Sequence, residues 1–220
     1  MLLFYPQFTR TFHDLPGHTS LLIHAWNGCN MRCFGCHNYD ELIAGKPVNP
    51  LTPHNVAERL KSADQLMDAV LFSGGEFLIN PLEDIEQFLR AVRDVFRGVI
   101  VLLTNGSYPR KLERLLADGL ADGVHIDMKL PYHCLDPAED SAIYQAVIGT
   151  VPSVRFRDDM LQSIELVIRH NSPYSRIRTV QYPILSPEFF EHIREYVVSL
   201  NARHHSSVPY DLNPYHQPLP

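Results

Sequence analysis

Apolar runs rich in β-formers recur along this chain and alternate with longer stretches of helical period, the pattern of a parallel sheet whose strands are joined by crossover helices. The runs are Leu21 to Trp26, Ala69 to Ser73, Val99 to Leu103, Gly123 to Met128, Ile177 to Tyr182 and Val208 to Leu212. A helix from Pro53 to Leu66 carries Val56, Leu60, Ala63 and Leu66 on one face, with Thr52 as its N-cap and a proline in its first turn. Asn80 and Pro81 open a second over Leu82 to Phe96. Lys111 to Ala117 stops at Asp118 and Gly119, and Asp158 to His170 and Pro187 to Leu200 complete the set. Strands so separated fit a doubly wound sheet or an incomplete barrel, and periodicity does not choose between them.

Polar signatures sit at the ends of these runs, where parallel α/β folds gather their sites. Cysteines follow the first run, Gly74-Gly75-Glu76 the second and Thr104-Asn105-Gly106 the third, while Asp127 and Lys129 close the fourth. Two segments fall outside the repeat. Pro131 to Phe156 reads as a long irregular connection, which in a compact domain is usually a lid or substrate loop. Tyr210 to Pro220, rich in Pro and Tyr, reads as an extended tail.

Three cysteines stand within eight residues, Cys29, Cys33 and Cys36, in a C-x3-C-x2-C spacing. A [4Fe-4S] cluster normally takes four thiolates, so a triplet without a near fourth leaves one iron open to a small-molecule ligand and to chemistry. Structural zinc with His37 as fourth ligand is the bland alternative, but it would crowd every ligand onto one loop, whereas such sites usually pair separated knuckles. A disulfide framework does not suit a chain of 220 residues without a secretory segment. Cys134, far downstream, reads as a free or half-buried thiol.

The formal net charge of −6 argues against a general electrostatic grip on nucleic-acid phosphate. No apolar run approaches the roughly 20 residues that span a bilayer, and the first residues lack a basic n-region with a long h-region. The expectation is a cytoplasmic protein, where thiols stay reduced.

The cysteines followed by His37-Asn38, then Ser73-Gly74-Gly75-Glu76, Thr104-Asn105-Gly106 and Asp127-Met128-Lys129, resemble the radical S-adenosylmethionine superfamily. Within it the likeness is to activating enzymes of glycyl radical enzymes, particularly the anaerobic ribonucleotide reductase activating proteins. The resemblance implies an α/β fold, a partial (β/α)6 TIM-like barrel, with residues 1–220 as a single domain. Its core runs over about 18–200, with a last strand and tail over 201–220. It implies a [4Fe-4S] cluster on Cys29, Cys33 and Cys36, and S-adenosylmethionine on the open iron. Contacts to that cofactor are implied for Gly74, Gly75, Glu76, Asn105, Asp127, Lys129 and Arg178. The alternatives are an ordinary turn for the glycines, a structural ion pair for Asp127 and Lys129, and an edge-strand surface arginine for Arg178. His125, one step outside Asp127 on the same strand, reads as a core histidine.

Departures from the family pattern are also legible. Gly35 stands where relatives often have an aromatic residue before the third cysteine, with Phe34 one place earlier, and Phe77 replaces the proline of GGEP. Leu103 precedes Thr104-Asn105-Gly106 where some activating enzymes carry an aspartate that contributes to a cation site. The resemblance implies hydrogen abstraction from a glycine of a partner glycyl radical enzyme, with a flavodoxin- or ferredoxin-like electron donor. A short chain leaves little material to close a barrel, and an open side suits such a substrate. Modification of a small molecule, a peptide or a tRNA base is the alternative within enzymes, and a non-catalytic Fe-S or zinc-binding module the alternative outside them.

Overall fold

The computed structural model describes residues 2–217. Among them are seven strands: β1 (Thr9–Thr11), β2 (Ser20–Ala25), β3 (Ala69–Gly74), β4 (Val99–Thr104), β5 (Gly123–Asp127), β6 (Arg176–Gln181) and β7 (Tyr210–Pro214). The helices are α1 (Pro53–Ala63), α2 (Leu82–Val95), α3 (Pro109–Ala117), α4 (Ser141–Ile148), α5 (Val154–His170) and α6 (Pro187–His204). This is the expected α/β class. The chain divides into two compact units, the first holding the residues up to Cys29, Asn38–Thr104 and Lys111–Val124, the second Asn30–His37, Asn105–Arg110 and the chain from His125 onward.

In the first unit β2, β3 and β4 pair in parallel, with Ser20 opposite Ala69 and Ala69 opposite Val99. Ala69, Val70, Leu71 and Phe72 are wholly buried, the unbroken apolar run that a parallel strand covered on both faces requires. Thr52 and Asn55 form a reciprocal capping box at the start of α1, each side chain accepting the other's backbone N–H, at 3.3 and 3.2 Å. Helix α2 buries Ile85, Phe88, Leu89 and Val92, spaced by one turn and two, and sets Phe88 against Phe4 and Phe72 with ring centroids 4.6 and 5.0 Å away. Burying each such ring contributes roughly 1.5–3 kcal/mol, so these rings anchor β3 and the turn that follows it.

One strand here was not expected, and one expected helix ends early. Strand β1, antiparallel to β2, has no apolar run to announce it; Thr-Arg-Thr is held by backbone pairing and is mostly exposed. Helix α1 ends three residues before Leu66, which continues the apolar spacing but is 69% exposed.

In the second unit β5, β6 and β7 pair in parallel, placing Asp127 opposite Arg178 and Arg178 opposite Asp211. Strand β6 is therefore flanked on both sides, and Arg178 is not on an edge strand. Pro131 to Phe156 is not an irregular connection. It contains α4, whose buried Tyr144, Val147 and Ile148 make a short apolar face closed by Gly149 at φ 62°, and it contains the first turn of α5, where the Ser153 hydroxyl accepts the Phe156 N–H at 3.1 Å. Helix α5 begins four residues before the expected Asp158 because Val154 and Arg155 in its first turn are exposed and carry no periodic signal. The expected strand over Val208 to Leu212 is present as β7, which starts at Tyr210 and runs on to Pro214 into the segment also read as a tail; the end of that tail, 218–220, lies outside the described residues.

Candidate functional site

In the first unit the site residues converge on the turn after β3. Gly74 has φ 139°, and an ideal Cβ there would lie 2.1 Å from the Ala25 carbonyl oxygen. A Cβ on Gly75 would lie 2.0 Å from the Gly28 carbonyl oxygen. Both positions therefore require glycine because the chain passes directly against the backbone leading into Cys29. The Glu76 N–H donates to that Gly28 oxygen at 2.9 Å, and the Asn38 amide donates to the Gly74 oxygen at 2.8 Å. The glycine pair thus locks the first cysteine to β3, a role the sequence alone does not distinguish from close approach to a ligand.

Glu76 is buried, and its Oε1 accepts from the Leu78 N–H at 2.9 Å and the Thr104 hydroxyl at 2.8 Å. Its negative charge also draws on Lys111, which donates to the Leu78 and Asn80 carbonyls at 2.8 and 2.6 Å; burial lowers the Lys111 pKa and Glu76 opposes that shift. Sequence reasoning missed Lys111, which sits in the third turn-and-helix unit without a strand-end signature.

In the second unit the Asp127 carboxylate is shared between two cations. Its Oδ2 accepts from Lys129 at 2.9 Å and its Oδ1 from Arg178 at 3.1 Å. Burial would raise the Asp127 carboxyl, but the two cations outweigh it and hold its pKa down to about 2. Burial likewise disfavours the Lys129 ammonium, and Asp127 more than compensates, keeping its pKa well above the ordinary lysine value. The pair of Asp127 and Lys129 offered as an alternative from the sequence is present, and Arg178 joins it.

Lys129 also faces Cys33 and Tyr182. Burial raises the Cys33 thiol, and Lys129 works against that rise by favouring the thiolate. Tyr182, one residue past β6, is buried and pushed up to about 12 by burial, so it stays a neutral phenol. The strand-end rule that selected Lys129 would also have found it. Tyr132 is wholly buried, and among the described residues its hydroxyl has no hydrogen-bond partner. His125 is a core histidine, wholly buried and lowered to about 3 by burial and by Arg178 and Arg176.

Asn105 enters a clasp on the cysteine loop. Its amide donates to Asn30 Oδ1 at 2.9 Å, Asn30 donates to the Ser107 hydroxyl at 2.9 Å, and Asn105 Oδ1 accepts from Ser107 N–H and Oγ at 3.0 and 2.7 Å. The loop is further tied to α4, with Arg32 N–H donating to the Ile148 oxygen at 2.9 Å and Phe34 N–H to the Val147 oxygen at 2.8 Å.

Cys29, Cys33 and Cys36 are partly buried, whereas Cys134 and His37 are exposed. Among the described residues no three His, Cys, Asp or Glu side chains are gathered as a metal-holding group. The donor set nonetheless suits an iron-sulfur cluster: soft sulfur ligands, one of them beside a buried ammonium that stabilises negative charge, on a loop whose closure can accompany metal binding.

This α/β arrangement matches the Radical SAM superfamily model over residues 23–197, and the chain belongs to that superfamily. Membership brings a [4Fe-4S] cluster and S-adenosylmethionine as cofactors. The AdoMet-bound protein anSMEcpe shares the fold at a TM-score of 0.57 and 16% identity over 87% of this chain and 50% of its own, and that fold is the partial barrel the resemblance implied. A protein of Thermococcus kodakarensis named as a GTP 3',8-cyclase is 27% identical over 79% of this chain and 51% of its own length. A 7-carboxy-7-deazaguanine synthase of Methanopyrus kandleri is 34% identical over 49% of this chain and 48% of its own. A protein of Methanocaldococcus jannaschii named as a glycyl-radical enzyme activating enzyme is 33% identical over 53% and 45%. The chain spans about half the length of these curated relatives. Among the described residues no helix is long and apolar enough to cross a membrane.

Proposed function

We propose that this chain is an enzyme that holds its cluster on Cys29, Cys33 and Cys36 and generates a glycine-centred radical on a partner protein. The observation that carries the reading is the thiol triplet on one short loop, with Lys129 beside Cys33. When bound, the cofactors would supply one-electron reductive cleavage of S-adenosylmethionine, with the electron from a flavodoxin- or ferredoxin-like donor, and radical abstraction of a hydrogen atom from the substrate. The chain's own residues hold and shield. Gly74, Gly75 and Glu76 fix the backbone at Cys29, and Asn105 does the same for Asn30. Asp127, Lys129 and Arg178 present one carboxylate and two cations, a cluster whose surplus positive charge suits the carboxylate of a zwitterionic amino-acid moiety. Tyr182 and Tyr132 stay protonated beside it.

The relative from Methanocaldococcus jannaschii supports glycine as the target, and a backbone glycine suits the chemistry because its lack of a side chain permits close approach. A second reading, a purine-containing small molecule as substrate, is favoured by the two relatives named for GTP and deazaguanine chemistry. Electron paramagnetic resonance on the reduced, reconstituted protein with S-adenosylmethionine and a co-encoded glycyl radical enzyme separates them. A glycine doublet on the partner supports activation; 5'-deoxyadenosine formation stimulated by a purine nucleotide supports the second. Cys29→Ala, Cys33→Ala and Cys36→Ala should each abolish cluster incorporation, and Cys134→Ala should not. Retention of a full cluster in the Cys33 variant would sink the ligand assignment.

A further inference from the structure

Tyr215 lies one residue past β7, between exposed Pro214 and exposed His216, yet its ring is half-buried. It turns inward onto the cysteine loop. An ideal Cβ on Gly35 would lie 2.3 Å from the Tyr215 hydroxyl oxygen and 2.6 and 2.8 Å from its Cε2 and Cζ, so the ring fills the space that a side chain at position 35 would take. Gly35 itself has φ 57°, a left-handed conformation that the turn between Cys33 and Cys36 imposes. Phe34 closes the contact, with its ring centroid 5.6 Å from that of Tyr215 and 6.3 Å from that of Tyr182.

We infer that Tyr215 is a positioning residue for the Cys33–Cys36 turn, a clamp from the end of the chain that replaces a side chain missing at position 35. The loop is also held by backbone hydrogen bonds from Arg32 and Phe34 to the end of α4. The ring adds a restraint on the two thiols to the one α4 supplies. The contact is a far end of a flexible side chain against a backbone. A larger residue at position 35 therefore expels Tyr215 rather than breaking the fold, and the two positions form one coupled device. Its value for catalysis rests on the reading of Cys33 and Cys36 as cluster ligands, but the clamp itself belongs to the metal-free chain.

The test uses metal-free, reduced full-length protein and iodoacetamide, with alkylation of each cysteine followed by mass spectrometry and exposed Cys134 as internal reference. Tyr215→Ala should speed alkylation of Cys33 and Cys36 relative to Cys134 by about fivefold, equivalent to roughly 1 kcal/mol of local opening. Tyr215→Phe, which keeps the ring, should stay near the parent. Gly35→Asn, a residue that tolerates the left-handed conformation, should reproduce Tyr215→Ala by displacing the ring. The double variant should be no faster than either single one, because both remove the same contact. Equal rates in parent and Tyr215→Ala would overturn the clamp, as would single effects that multiply in the double variant. A rise at Cys134 as large as at Cys33, or a matching drop in the urea midpoint, would show general loosening and also overturn it. Failure to load a cluster in the parent would count against the proposed function and leave this alkylation result standing.

Discussion

Thr104 donates its hydroxyl to Glu76 Oε1 at 2.8 Å, joining the last residue of β4 to the turn after β3, and both residues are buried. A buried carboxylate persists only with donors arranged around it. The bond therefore sets the direction of the Gly74-Gly75-Glu76 turn, and through the Glu76 N–H it sets the backbone entering Cys29.

Replacing Thr104 by Val keeps the β-branched shape of the strand and removes the hydroxyl. Urea unfolding of the metal-free protein should show a loss of about 1–3 kcal/mol, the usual cost of leaving a buried polar partner short of a hydrogen bond. Stability equal to the parent's would mean that the carboxylate does not depend on this hydroxyl.

Asp127 makes stability depend on acid. Its folded pKa of about 2 lies below the ordinary value of 3.8, despite burial, because Lys129 and Arg178 favour the carboxylate. A depressed acid stabilises the folded state fully above its unfolded pKa and loses that contribution as pH falls towards the folded one. The stability difference between the parent and Asp127→Asn should be level from neutral pH to about 5 and shrink below about 4, by up to roughly 2 kcal/mol, with partial exposure trimming that figure. Urea midpoints measured in both proteins across that range check it. A gap that stays constant down to about pH 3 would mean that the cations do not hold the carboxyl down.

The parallel strands were legible because burial on both faces writes a continuous apolar run, as at Val70-Leu71-Phe72. The rule that sites gather at strand ends then selected Asp127 and Lys129, and the family resemblance added Arg178, which the structure joins to them in one charge cluster. What stayed hidden has a common cause. Strand β1 and helix α4 are short, and neither offers enough turns or alternations for periodicity to register. Gly74 and Gly75 announced a close approach, but only coordinates show that the approaching group is the backbone at Ala25 and Gly28. Tyr215 meets Gly35 across most of the chain's length, a contact that no local pattern encodes.

Leu103 leads to a prediction about cations. It occupies the place before Thr104-Asn105-Gly106 where some activating enzymes carry an aspartate, and its side chain offers no oxygen to a hard ion. Binding of S-adenosylmethionine to the cluster-loaded protein, followed by calorimetry at constant ionic strength, should change little when sodium replaces potassium. A marked preference for one ion would place oxygen ligands elsewhere around the cofactor.

The last prediction concerns the end of α4. Gly149 has φ 62°, and an ideal Cβ there would lie 2.3 Å from the Arg32 carbonyl oxygen and 2.8 Å from Arg32 Cβ. The obstacle is backbone, fixed by the Arg32 and Phe34 hydrogen bonds to Ile148 and Val147, so it cannot swing aside as a side chain can. Gly149→Ala therefore combines left-handed strain of about 1–2 kcal/mol with displacement of the cysteine loop. Gly119 supplies the control: its φ is 66°, and nothing lies within 4 Å of an added Cβ. Gly119→Ala should cost only the strain, so the difference between the two variants in urea unfolding isolates the contact with Arg32. Gly149→Ala should lose more stability and also retain less iron after anaerobic reconstitution, while Gly119→Ala keeps its iron. Equal losses in both measurements would show that α4 does not brace the turn carrying Cys33 and Cys36.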